Sequence, residues 1–309
     1  MERSTSTQRV SSAAAVAWTA DRAAIDRALA EVCERFSGSL GDVIGEAVRY
    51  SLLGGGKRLR GLLFLAAYRS GGGGRQSDAC MLAAAIEVVH AYSLVHDDLP
   101  CMDNDDVRRG RPTLHRAFGV RVATVAGVAM VPLAAVVALD AARSLGLPPA
   151  ARGEIVAELM RASGAGGMIG GQLLDLEGEG RPLGLEELER IHRAKTGALI
   201  RASVRIGGRA ASVSTSQLEA LSRFGDAIGL AFQIADDVLD VTGTTDRLGK
   251  TAGRDLDLQK STYPAVLGVE RAAHRAGALV TEGCATLREA GLLSTELEAL
   301  ARFAVERES

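Results

Sequence analysis

Two clusters of carboxylates are the residues of this chain whose types and spacing could do chemistry. The first reads His96-Asp97-Asp98-Leu99-Pro100-Cys101-Met102-Asp103-Asn104-Asp105-Asp106 and comes directly off an apolar stretch, Ala79 to Val95. Acids at this density repel one another unless a cation neutralises them, and oxygen-only ligands favour a hard ion such as Mg²⁺ over zinc or copper. Pro100 cannot occupy a regular helix interior, so a helix is expected to end near Asp98, with a short turn returning Asp103 toward the pair. An EF-hand calcium loop is not matched, because its glycine and its terminal glutamate are missing.

The second cluster is Gln233-Ile234-Ala235-Asp236-Asp237-Val238-Leu239-Asp240. In a helix Asp236 and Asp240 lie one turn apart on one face, with Gln233 preceding them there. Acids at i and i+4 also describe an ordinary solvated helix face, so neither cluster alone separates a site from a wet surface. The apolar surroundings and the pairing favour a site. Two acidic ends of hydrophobic helices suggest opposing walls of one cavity holding several Mg²⁺ ions, and Mg²⁺ typically bridges carboxylates to substrate phosphates. A diphosphate ligand is expected.

Phosphate requires cations near the acids. Arg108-Arg109 follow the first cluster, and Gly54-Gly55-Gly56-Lys57-Arg58-Leu59-Arg60 lies upstream. Glycine lets backbone N–H groups approach phosphate closely, and arginine presents a planar fork to its oxygens. Lys195-Thr196-Gly197, Lys250 and Lys260 come downstream. Each of these alone reads as a surface charge, and only their joint placement around the acids points to a site. Gly249-Lys250-Thr251 fails as a nucleotide P-loop, since the required earlier glycine position holds Thr244, with Gly243 one residue too early.

The elements that must position these groups are helical. Little of the chain alternates with period two, whereas Ala/Leu/Val/Glu/Arg stretches recur over 21–36, 78–98, 151–163, 185–206, 216–240 and 285–306. Apart from the short Gly71–Gly74 loop no linker parts two domains, so the expectation is an all-α, single-domain helical bundle over residues 21–309 behind a flexible segment 1–20. That segment is too weakly hydrophobic for a signal-peptide core, although its single acid before Asp21, Glu2, leaves an organellar presequence as an alternative. Val122 to Leu139 is uncharged and as a helix would reach about 27 Å. It carries Gly127 and Pro132, lacks Trp and Tyr anchors and has no companion of similar length. It therefore reads as a buried core or subunit-interface helix rather than a membrane span.

The 309 residues are 47% hydrophobic, 24% charged and 4% aromatic, which excludes a disordered or collagen-like chain. Thirty-six basic against 38 acidic residues leave a net charge of −2, so nothing global recommends nucleic acid or an anionic membrane as partner. Cys33, Cys80, Cys101 and Cys284 are scattered, which argues against a zinc site or disulfide framework and for a cytoplasmic location.

Several motifs follow in order along the chain: Gly55-Gly56-Lys57-Arg58-Leu59-Arg60, His90-Ala91-Tyr92-Ser93-Leu94-Val95-His96-Asp97-Asp98, Arg108-Arg109-Gly110 and Gly167-Met168-Ile169-Gly170-Gly171-Gln172 leading to Asp175. Lys195-Thr196-Gly197-Ala198-Leu199, Phe232-Gln233-Ile234-Ala235-Asp236-Asp237 and Lys260-Ser261-Thr262-Tyr263-Pro264 complete the series. Together they resemble the trans-isoprenyl diphosphate synthases, or polyprenyl synthetases, and among them the bacterial farnesyl type. The resemblance implies an all-α bundle around a deep central cavity, usually a homodimer, joining an allylic diphosphate (dimethylallyl or geranyl) to isopentenyl diphosphate with release of diphosphate.

By that resemblance Asp97, Asp98, Asp103, Asp236 and Asp240 would hold Mg²⁺, three ions per site, against the allylic diphosphate, with Asp237 assisting through solvent. Arg108, Lys195, Lys250 and Lys260 would bind the same diphosphate. Gly56, Lys57, Arg60, His90 and Arg109 would receive isopentenyl diphosphate, and Thr196, Gln172 and Gln233 would turn oxygen dipoles toward the developing allylic cation. Tyr92, about 7.5 Å below Asp97 along a helix, with Ser93 beside it, would floor the pocket and favour a C15 product.

The chain departs from the family pattern at Gly127-Val128-Ala129-Met130, where an acid usually follows the glycine, and at Val120. Those losses put support of the metal ligands in doubt. Arg302 to Ser309 lacks a strongly basic run. Geranyl or geranylgeranyl diphosphate synthesis is the neighbouring alternative. A terpene cyclase would not need Lys57, Arg60, His90 and Arg109, and a non-catalytic partner subunit would not need both acidic clusters.

Overall fold

The computed structural model describes residues 3–74, 76–242 and 261–306, without the side chains of 3–17, 37, 40 and 76. The chain folds as α1 (Arg3–Leu40), α2 (Asp42–Leu52), α3 (Leu59–Ser70), α4 (Gln76–Asp97), α5 (Leu114–Phe118) and α6 (Val120–Ser144), followed by α7 (Pro149–Ser163), α8 (Met168–Glu177) and α9 (Leu185–His192). A π-helical turn, Arg193–Gly197, leads into α10 (Ala198–Ala210), then α11 (Thr215–Thr242), α12 (Tyr263–Leu267), α13 (Val269–Glu289) and α14 (Thr295–Glu306). Between α4 and α5 a two-residue antiparallel ladder pairs β1 (Val107–Arg108) with β2 (Arg111–Pro112), an exception to the helical expectation. The expected helix over 285–306 is two, parted at Gly291, whose φ of +70° ends α13. The expected flexible segment 1–20 falls largely on residues whose side chains lie outside the description, the backbone there being part of α1.

The core forms where helices present small and branched apolar residues to one another. α4 packs on α6 and α1, α10 on α3 and α11, and α11 on α13. Leu63, Phe64, Leu82, Ile86, Phe224 and Tyr263 are fully buried among them. Two helices, Ser77–Asp97 and Val120–Ser144, are long and apolar enough to cross a membrane, so the second has a companion that sequence reading missed. The first is mostly buried in the bundle. The second is a half-buried helix: Ala123, Ala126, Met130, Ala134 and Val137 face inward, while Val125, Val128, Pro132, Val136 and Leu139 form an exposed apolar stripe. Gly127 lets α6 approach α4 so closely that an added Cβ would stand 2.1 Å from Nε2 of His96.

Local signals fix the helix ends that matter. Pro100 stops α4, and the backbone N–H of Asp103 returns to donate to the Asp97 carbonyl at 2.8 Å, as the expected turn requires. A capping box opens α11: Ser214 Oγ accepts from Gln217 N at 3.2 Å while Gln217 Oε1 accepts from Ser214 N at 3.1 Å. The cap sets the register of a helix about 42 Å long, and with it the face on which Asp236 stands. At α12, Thr262 Oγ1 accepts from Ala265 N, and Asp237 of α11 accepts from Tyr263 N at 2.9 Å.

The π-helical turn is wedged between two glycines. A Cβ on Gly171 of α8 would lie 2.1 Å from Lys195 N, and one on Gly229 of α11 would lie 2.6 Å from the Cα of Gly197. Only hydrogen fits at either place, so these glycines hold the widened turn that carries Lys195 and Thr196 against both helices. Gly171→Ala is therefore expected to destabilise the fold by about 3 kcal/mol, because the obstruction is backbone. Gly277→Ala, on exposed α13 with nothing within 4 Å, should gain up to about 1 kcal/mol. Chemical denaturation of the two variants beside the parent checks both signs.

Candidate active site

Helical spacing puts one face of α4 and one face of α11 on a common hollow. His90, Ser93, Leu94 and Asp97 follow i, i+3, i+4, i+7, and Phe232, Asp236 and Leu239 repeat that stripe with Gln233 alongside. Together with Gly56, Lys57, Arg60, Arg108, Arg109, Gln172, Lys195 and Thr196 they line one cavity of about 640 Å³. Arg22 of α1, Arg58 and Met168 line it too. Of these three, Arg58 and Met168 lay inside motifs already noted, whereas nothing in the sequence around Arg22 marked it.

The acids stand in different environments. Asp97 is half-buried, and burial, opposed by the Lys195 ammonium and reinforced by Asp103, pushes its pKa up to about 6. Asp98 does not line the hollow. It is buried beneath the β1–β2 hairpin, where Arg108 Nε donates to its Oδ1 at 2.7 Å and Arg108 also holds Asp105 at 3.2 Å. Burial still raises the Asp98 pKa against that guanidinium. Asp237 also turns from the hollow, accepting from Gln233 Nε2 at 3.1 Å, His192 Nε2 at 3.2 Å and Tyr263 N at 2.9 Å. It braces α9 and α12 on α11. Asp240, one turn beyond Asp236, is buried with neither carboxylate oxygen hydrogen-bonded among the described residues.

That orphaned carboxylate is the feature that calls for a cation, since an unpaired buried charge is costly. Among the described residues no three acidic, His or Cys side chains stand close enough to hold a metal by themselves. An ion completed by substrate phosphates fits such a set better than a caged one, which is the habit of Mg²⁺.

Opposite the acids lies the basic wall. The α2–α3 loop and the hairpin turn each present an arginine in left-handed backbone conformation, Arg58 at φ 52° and Arg109 at φ 55°. With Gly110 at φ 72°, Arg109 completes a two-residue turn with both φ positive, the type that suits a tight hairpin. The Arg109 guanidinium donates to the Gly55 carbonyl and lies over Gly56, where a Cβ would come within 2.8 Å of its central carbon. Arg58 is buried and structural: it donates to Asp26 at 2.8 Å and to the Leu52 carbonyl at 2.7 Å. Arg60 stands 3.3 Å from His90 Nε2, and burial followed by the charge of Arg60 holds the His90 pKa well below its usual value. His90 is thus neutral, accepting at Nε2 and leaving Nδ1–H free to donate. The Lys57 ammonium lies 5.9 Å from the centre of the Phe303 ring.

Polar groups line the remaining side. Lys195 Nζ pairs with Asp175 at 2.6 Å, and Thr196 Oγ1 donates to Gln233 Oε1 at 2.8 Å. The Gln172 amide is buried with no hydrogen bond among the described residues. Tyr92 is buried but does not line the hollow; its ring stands edge-on to His96 at 5.1 Å. Ser93 does line it. Val128 is 59% exposed on the outer face of α6 and does not line the hollow. Val120 is exposed as well. Lys250 and Lys260 lie outside the described residues.

Raised from about 4 in an unfolded chain to about 6 in the fold, the Asp97 carboxyl favours folding only while protonated. Its contribution is full below about pH 4 and is lost as pH rises through about 6. Without metal, Asp97→Asn should be more stable than the parent at pH 8 by on the order of 2 kcal/mol, the gain fading as pH falls below 6. Denaturation in EDTA across that range reads the trend.

Comparison with known proteins places these features in a family. The Polyprenyl synthetase family model matches residues 42–286. The farnesyl diphosphate synthase of Escherichia coli (strain K12) is 46% identical over 270 residues, 85% of this chain and 88% of that protein. The crystal structure of an FPP/GFPP synthase from Zymomonas mobilis superposes with a TM-score of 0.79 at 34% identity, covering 93% of this chain and 99% of that one. A geranyltransferase from Helicobacter pylori, crystallised with magnesium and isoprenyl diphosphate, gives 0.76 at 34% identity, covering 89% and 94%.

Proposed function

The chain belongs to the polyprenyl synthetase family and is a short-chain trans-prenyltransferase, and we propose that it acts chiefly as a farnesyl diphosphate synthase through the cavity just described. It joins dimethylallyl or geranyl diphosphate to isopentenyl diphosphate and releases diphosphate. The observation that carries this reading is that Asp97 of α4 and Asp236 of α11 line one hollow with the basic wall of Lys57, Arg60 and Arg109.

Asp97, Asp103, Asp236 and Asp240 would hold Mg²⁺, and Asp98 serves by fixing Arg108. When bound, Mg²⁺ neutralises negative charge that grows on a departing diphosphate. Three ions per site is the number this reading adopts. Arg108 and Lys195, with Lys250 and Lys260, bind the allylic diphosphate. The Gly56 backbone, Lys57, Arg60, Arg109 and the Nδ1–H of neutral His90 bind isopentenyl diphosphate, so the second substrate is gripped without losing its own diphosphate. Thr196 spends its proton on Gln233, which leaves its oxygen lone pairs for the allylic cation, and the unpartnered Gln172 amide supplies another dipole. Leu94, Phe232 and Leu239 keep water from that cation. The isopentenyl double bond attacks in line, and proton loss to the departed diphosphate restores the alkene.

The exposed stripe Val125, Val128, Pro132, Val136 and Leu139 supports a homodimer in which α6 is covered by a second copy. The reading assigns the enzyme to the cytoplasm and gives nucleic acid no part.

Incubated with Mg²⁺, dimethylallyl diphosphate and isopentenyl diphosphate, the purified protein should release diphosphate and yield mainly C15 product by chromatography. Absence of turnover with every allylic primer would defeat the proposal. In this reading Tyr92, buried behind the cavity-lining Ser93, limits how far the hollow can extend as the product chain lengthens. Tyr92→Ala should then shift product toward C20 and longer, and an unchanged distribution would remove Tyr92 as the floor. Sedimentation should find a particle of twice the 32.2 kDa chain mass, dissociated by Val136→Arg.

A further inference from the structure

Arg22 projects from α1 into the hollow that Gly56, Lys57, Arg60, His90 and Arg109 line. It is exposed and makes no ion pair among the described residues. The acids nearest it in sequence are committed elsewhere: Asp21 to Arg69 at 2.6 Å and Asp26 to Arg58 at 2.8 Å. Asp21 and Asp26 are thus paired with Arg69 and Arg58, while Arg22 between them in sequence lines the cavity.

The charge balance on this side gives Arg22 a purpose. Arg58 is consumed by Asp26, the Leu52 carbonyl and, at 3.9 Å, Glu87. His90 is neutral. Among the described residues on this side, Lys57, Arg60 and Arg109 are the other cations facing the hollow, and Arg109 already donates to the Gly55 carbonyl. A diphosphate monoester carries up to about three negative charges, and with Arg109 partly engaged a guanidinium at the rim adds a further positive group in the fork geometry phosphate oxygens prefer. The same face of α1 is anchored for the task. One turn before Arg22, Trp18 packs edge-on to Phe303 at 5.6 Å, and Phe303 is the ring beneath the Lys57 ammonium.

Resting on the function proposed above, we propose that Arg22 is a binding residue for the diphosphate of isopentenyl diphosphate, a wall of that subsite contributed by the N-terminal helix. It touches the anion that stays on the product and takes no part in ionising the allylic substrate.

Calorimetric binding of isopentenyl diphosphate in EDTA, with steady-state KM values for both substrates, tests this on the full chain. Arg22→Gln should weaken isopentenyl diphosphate binding and raise its KM about five- to tenfold, less at high salt, while the KM for geranyl diphosphate stays at the parent value. Arg22→Lys should recover most of the loss, which a merely structural role would not predict. Parental binding by Arg22→Gln, or equal weakening of both substrates, would overturn the assignment. A parent that binds isopentenyl diphosphate without turning it over would defeat the function proposed above, while calorimetry of the variants would still decide the role of Arg22.

Discussion

Negative charge crowded at the edge of an apolar hollow is the constraint on which the rest of this bundle depends. Each aspartate left without a counter-charge would be pushed toward its neutral form or would weaken the fold. The chain meets the demand differently at each acid. Asp98 is neutralised by Arg108, Asp237 is satisfied by three hydrogen-bond donors, Asp97 holds its proton up to about pH 6, and Asp240 goes without a described partner. One residue type thus spans a range from ion-paired brace to a carboxylate with no described partner, and burial together with the nearest donor decides which. The acids left least satisfied by protein are those with most to gain from an added ion.

The basic wall is sorted in the same way. Arg58 and Arg109 both adopt left-handed backbone conformation, which for a non-glycine residue is uncommon and must be held by its surroundings. Their fates differ: Arg58 turns inward to tie α1, α2 and α4 together, and Arg109 lies across Gly55 and Gly56 at the cavity. The Gly54–Gly56 loop is therefore fixed from beneath by one arginine and covered by the other. Across the hollow, Gly171 and Gly229 perform the matching service for Lys195 and Thr196 by admitting a π-helical turn at van der Waals distance.

Much of this was legible in the sequence because it rests on local signals. Pro100 ended α4 where proline must, the return of Asp103 followed, and the i, i+4 spacing put Gln233, Asp236 and Asp240 on one helix. What could not be read depends on contacts between distant segments. Asp98 and Asp97 are adjacent and chemically identical, and only the hairpin that swings Arg108 under the helix separates their roles. Nothing in the sequence showed that α9 and α12 would bring their donors to Asp237. The π-helical turn has no signature in Arg193-Ala194-Lys195-Thr196-Gly197 itself; its cause sits in glycines of two other helices. Val128 stood out because the family pattern has an acid there, and only the rotation of α6 shows that it faces outward. Arg22 stood out by no motif, since one arginine on an amphipathic helix resembles any other.

The guanidinium of Arg69 is shared by Asp21 of α1 and Glu296 of α14, so one side chain of α3 fastens the first and last helices of the bundle to the same point. Mechanically those helices are a single strap laid beside the loop that carries Lys57. Take away that shared guanidinium and two partly buried carboxylates, Asp21 and Glu296, would face each other with no cation between them.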